Sequence, residues 1–223
     1  MAVVRRLTDV SVGTWLADRL DRGSGAWGTA GSVVPAGFPR VVRVLHPVGE
    51  NGTWASVAAR TGRTMHPLVQ WRHIADHVVD GRSDDIDPEE GSIPAGTLEA
   101  VLRHCPADGD VVHAVWSGFG GVEPPEPLLV GNLRDYALFT GPCVAVTDWP
   151  GMDTPWGQSA NYLWPSDRSW CAATEIDWDF TLVACADEVA GALLADPALE
   201  TFEVELGDDL TWDGDRVNGP GRA

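Results

Sequence analysis

From Ser169 to Asp179 the chain alternates with a period of two. Trp170, Ala172, Thr174, Ile176 and Trp178 fall on one side, and Ser169, Cys171, Ala173, Glu175, Asp177 and Asp179 on the other. Successive side chains of a strand point to opposite faces, so this pattern predicts a β-strand with one core face and one acidic face. Similar signals follow for Pro39 to Val48, Gly109 to Gly118, Asp135 to Gly141, Pro142 to Asp148 and Leu199 to Leu206. Helical spacing appears at Ser11–Leu20, Thr53–Arg60, His66–Val79, Thr97–Cys105 and Ala186–Pro197. Gly62 is placed to stop the second of these helices, and Pro197 the last. Most helices precede most strands, without strict alternation. The expectation is therefore an α+β fold, with a mixed or mostly antiparallel sheet and short helices concentrated in the first half, in one domain over residues 1–223.

Charge narrows the function classes. The 223 residues carry a formal net charge of −18, and all fifteen basic residues are arginine. Such a surface repels a phosphate backbone and anionic lipid, so neither nucleic acid nor membrane is an expected partner. A basic protein or a small ligand is. No run is long and apolar enough to span a membrane, and the amino terminus lacks a signal-peptide pattern, which predicts a cytoplasmic protein. Cys105, Cys143, Cys171 and Cys185 have no paired spacing and are expected as free thiols.

Carboxylates two apart on one strand face lie about 6 to 7 Å apart, a separation suited to acid/base work on glycosides. This makes Glu175 and Asp177 candidate catalytic residues of a small hydrolase acting on a sugar or a cationic molecule. The competing reading is an ion-pair network with Asp167, Arg168 and Arg134. Among the eleven tryptophans, Trp149, Trp156 and Trp164 sit on loops and are ligand candidates, because an indole face beside carboxylates suits sugars and cations. His66, Gln70, His73 and His77 would share a solvated helix face. The HExxH glutamate is absent, so no metal is expected. His46 and His113 read as buried, satisfied histidines, and Asp208–Asn218 as an acidic turn. Ser117–Gly121 is not followed by a helix, no other cofactor motif occurs, and none is expected.

Several segments together resemble a family of uncharacterised bacterial proteins of about this length. They are His46-Pro47, Val115–Gly120, Arg134-x-Tyr136-x-x-Phe139-x-Gly141-Pro142, and Trp164–Trp170 followed by Thr174–Asp177. The resemblance implies no activity. This chain departs from the family pattern at Thr181, which is followed by Leu-Val-Ala-Cys instead of glycines. The residues therefore favour a non-catalytic acidic binding protein of immunity or accessory type, with the hydrolase as the alternative.

Overall fold

The computed structural model describes residues 4–49, 52–75, 87–119, 129–130, 134–152 and 157–219. The strands are β1 (Arg5–Arg6), β2 (Arg40–Leu45), β3 (Val111–Trp116), β4 (Leu129–Val130), β5 (Asp135–Gly141), β6 (Tyr162–Pro165), β7 (Cys171–Ala173), β8 (Phe180–Cys185) and β9 (Glu200–Val204). The helices are α1 (Thr14–Arg19), α2 (Trp54–Thr61), α3 (Trp71–Ile74), α4 (Ala95–Leu102) and α5 (Asp187–Ala195). Eight strands form one sheet in the order β1-β5-β3-β6-β7-β8-β2-β9, with β4 beside β1 on the same edge of β5. Every pairing is antiparallel. The fold is α+β, and among the described residues four of the five α-helices precede Arg103. Among the described residues no helix is long and apolar enough to cross a membrane.

Both faces of the sheet are buried, and this sets the register of its central strands. Along β2, Val41 and Leu45 enter one core while Val42 and Val44 enter the other. Along β8, Phe180, Leu182 and Ala184 face the first core and Val183 and Cys185 the second. The first core lies under α1, α2 and α3, and the second under α4 and α5. A one-residue slip would exchange the two sets, which differ in size, so register is strongly specified.

Local signals explain the helix ends. Thr53 caps α2 by accepting from the Ser56 amide at 3.1 Å, and Gly62 ends it at φ 69°. Glu200 of β9 adds a bidentate cap, accepting from the Trp54 and Ala55 amides at 2.6 and 2.8 Å. Its charge suits the positive end of the helix dipole and ties α2 to the sheet edge.

Three expectations change. The strand expected over Ser169–Asp179 is only three residues long, and its second face is apolar, because Cys171 and Ala173 enter the first core while Trp170 and Ala172 enter the second. Residues 142–148 are irregular rather than extended, after the proline at 142. Of the helix expected over His66–Val79, the described residues are helical only at Trp71–Ile74, and before it Asp215 accepts the Gln70 amide at 3.1 Å and the His66 ring at 2.8 Å, which holds the 66–70 segment around that carboxylate. His77 and Trp156 lie outside the described residues. The four cysteines are unpaired, and three of them are buried.

Candidate functional site

Only six residues separate β7 from β8, so Thr174–Asp179 must reverse the chain. The Trp178 amide donates to the Glu175 carbonyl at 3.1 Å, and the Asp177 amide to Glu175 Oε2 at 2.8 Å. Thr174 and Thr181 close the base of the hairpin through their hydroxyls at 2.7 Å. A second segment clamps it from outside, with the Gly91 amide donating to the Trp178 carbonyl at 2.9 Å. Gly91 has φ 74°, and a Cβ there would stand 2.5 Å from the Ile176 carbonyl oxygen, so only glycine allows this approach.

The acidic hairpin forms one wall of a cleft of about 870 Å³. Facing it are the 21–33 loop, the start of α3 and the Leu210–Asp213 turn, with Tyr136 and Tyr162 contributed by the sheet. The lining holds six carboxylates, Asp21, Glu90, Glu175, Asp177, Asp179 and Asp213, against three arginines, Arg22, Arg72 and Arg134. Seven aromatic residues supply much of the remaining wall. Trp27 and Trp212 at the rim are 75% and 65% exposed, far from what core tryptophans show. Arg72 lies 3.8 Å over the Trp212 ring, and Trp71 donates its indole N–H to Asp87 at 2.8 Å.

Glu175 and Asp177 therefore do reach a cleft, but Arg134 holds both. Its Nε donates to Glu175 Oε1 at 2.7 Å and its Nη2 to Asp177 Oδ2 at 3.0 Å, while the guanidinium lies 5.1 Å over the Trp116 ring. With Oε2 taken by the Asp177 amide, both Glu175 oxygens are occupied. Burial would lower the Arg134 pKa, but the hydrogen bond and charge of Glu175, with the charge of Asp177, raise it overall.

Asp167 and Arg168 do not join this network. They occupy the β6–β7 turn at the opposite end of β7, where Asp167 accepts the Ser169 amide at 3.0 Å and Arg168, at φ 58°, lies 5.3 Å from the Trp15 ring. Nor do Trp149 and Trp164 line a ligand surface. Each is 1% exposed; Trp149 donates to the Gln158 carbonyl at 2.7 Å, and Trp164 packs edge-on to Trp15 with centroids 5.9 Å apart. The histidine face is not solvated either. His66 Nε2 lies 2.8 Å and His73 Nδ1 3.4 Å from Asp215, whose side chain is fully buried.

The cleft carboxylate that stands apart is Asp179. It immediately precedes β8, and the rings of its sequence neighbours Trp178 and Phe180 stack on each other with centroids 4.6 Å apart. Among the described residues no other side chain donates a hydrogen bond to it. Burial raises its pKa to about 6, opposed by the attraction of Arg43 and reinforced by Glu90 and Asp87. Burial, with Asp177 and Asp87, likewise raises that of Glu90. Arg43 lies behind Phe180, with its guanidinium carbon 3.9 Å from that ring. It is wholly buried on β2, donates from Nη1 to the Pro67 and Val69 carbonyls at 2.9 and 2.8 Å, and is lowered to about 10 by that burial.

No family model, curated protein or solved structure matches this chain.

Proposed function

We propose that the protein is a cytoplasmic, non-catalytic binding protein of accessory type whose cleft captures a positively charged ligand or the basic side chains of a partner. The observation that carries this reading is the lining itself: an excess of carboxylates over arginines in a cavity of ligand size, rimmed by two tryptophans left open to solvent. A net charge of −18 extends the attraction beyond the cleft and would steer a cation toward it. Four unpaired cysteines suit a reducing compartment.

A hydrolytic reading has one observation in its favour, since Glu175 and Asp177 line the cleft. Against it, Arg134 pairs with both carboxylates and the turn amide engages the second oxygen of Glu175, which commits the two acids to a structural ion-pair network.

Calorimetric titration of organic cations such as spermidine tests the binding reading. Trp27→Ala and Trp212→Ala should each weaken binding about tenfold while leaving the melting temperature within a degree or two, because both rings are mostly exposed. Wild-type affinity in both variants, or no binding of any cation by the wild type, would count against the cleft.

A further inference from the structure

We infer that the cleft takes an alkylguanidinium group, anchored on the Asp179 carboxylate and flanked by aromatic rings; this rests on the cation-binding reading above. Three observations support it. First, the protein's own guanidinium groups show the chemistry these walls accept. Arg72 stacks on Trp212 at 3.8 Å and Arg43 lies over Phe180 at 3.9 Å, both rings of the cleft, and Arg134 of the cleft lies over the neighbouring Trp116 at 5.1 Å. Planar, weakly hydrated cations suit such ring faces better than a compact ammonium does. Trp27, at the same rim, stacks on no ring or guanidinium among the described residues and is 75% exposed.

Second, the carboxylates of the cleft are not equivalent. Glu175 and Asp177 are committed to Arg134, whereas the Asp179 carboxylate has no side-chain donor among the described residues. It is also partly buried, in a cleft that aromatic rings help to line, where an unmatched charge is costly and an incoming donor fork gains most. Third, the surrounding charge balance favours a cation. Arg43 faces Asp179 from β2, Glu90 and Asp87 from the segment before α4, and Asp177 adds to the field at Glu90 from the hairpin. Counting Glu175 and Arg134, five carboxylates stand against two guanidiniums.

The chemistry carries a proton signature. A carboxylate half-protonated near pH 6 must release its proton to receive a cation, so binding at that pH should expel about half a proton from Asp179, and almost none at pH 8. The probes are agmatine, as a free alkylguanidinium, and a short uncharged-flank peptide carrying one arginine, each titrated calorimetrically in two buffers of different ionisation enthalpy. Agmatine alone binding places the natural ligand among free small molecules, and binding of both places it on a partner's arginine; either supports the assignment. Asp179→Asn should weaken binding at pH 8 at least tenfold and remove the proton release at pH 6. Trp212→Ala should weaken binding yet keep that release.

The Asn variant keeps the shape and loses a charge held against burial, so it is expected to fold at least as stably, and its melting curve checks this. Wild-type affinity and unchanged proton release in Asp179→Asn would overturn the assignment. Binding of spermidine with no binding of either guanidinium probe would overturn it too, while leaving the cation-binding reading in place. Failure of every cation to bind would overturn both.

Discussion

Lowering the pH from 7 to 4.5 is expected to remove about 3 kcal/mol of stability, and two buried histidines cause it. His46 and His113 are lowered to about 4, in both cases chiefly by burial. In the unfolded chain they titrate near the ordinary value of about 6.5. Between those pH values the unfolded state binds protons that the folded state refuses, so stability present above pH 6.5 is lost as the pH falls toward 4. Asp179 works in the other direction. Its folded pKa, raised to about 6, means that acid relieves the strain of holding its charge, which returns about 2 kcal/mol over the same range. Two histidines outweigh one aspartate. Urea midpoints at the two pH values measure the difference. His113→Leu, which removes an imidazole whose Nε2 has no partner, should cut the loss by about 2 kcal/mol. A flat profile between pH 7 and 4.5 would contradict the burial of both rings.

Asp215→Ala is expected to be the most damaging single substitution near the cleft. The carboxylate is fully buried and accepts from His66 Nε2 at 2.8 Å, the Gln70 amide at 3.1 Å, and the Val217 and Asn218 amides at 3.1 and 2.9 Å. Burial alone would raise its pKa, but the amide bonds from Asn218 and Gln70 and the side chains of His66 and Asn218 more than offset this, and the net shift is downward. Truncation strands several buried donors at about 1 to 3 kcal/mol each, so a loss of about 4 kcal/mol is expected. Because this pKa is depressed, its contribution is present above the unfolded carboxylate value of about 4 and disappears as pH falls through the folded one. The wild type should therefore lose its advantage over the variant in strong acid. The same bonds hold the segment that supplies Thr211, Trp212 and Asp213 to the cleft, so cation binding should fall along with stability. Chemical denaturation and calorimetry on one preparation read both effects.

The elements most legible in the sequence were those with local signals. Thr53 and Gly62 bracket α2 as their chemistry requires, and the alternating or continuous apolar runs of β2, β3, β5 and β9 are strands. The site was legible only in part. Glu175, Asp177 and Arg134 do meet, 41 and 43 residues apart in sequence, but Asp167 and Arg168 sit at the far end of β7, because the hairpin strand is three residues long and not eleven. Period-two reading could not see that the second face of this strand would also be covered, since Cys171 and Ala173 are small and carry little hydrophobic signal. Trp149 and Trp164 occupy segments that look like loops yet are built into the cores, and Trp164 in fact belongs to β6. The exposed tryptophans were distinguishable in principle. Trp27 and Trp212 stand among glycine and aspartate, in GSGAWGTAG and LTWDGD, outside any sustained apolar periodicity that would draw them inward. Nothing local marks His66, His73 and Asp215 as one cluster, because 149 residues separate His66 from the carboxylate it meets.

The eleven tryptophans offer the most direct test of the cleft itself. Each indole N–H gives its own nitrogen–proton correlation in an NMR spectrum, and single Trp→Phe variants assign them. Titration with agmatine at pH 8 is predicted to move the signals of Trp27, Trp71, Trp178 and Trp212, which line the cleft, and to leave those of Trp149, Trp164 and Trp170 in place. Shifts confined to the buried set, or no shift in the cleft set at saturating agmatine, would contradict the account.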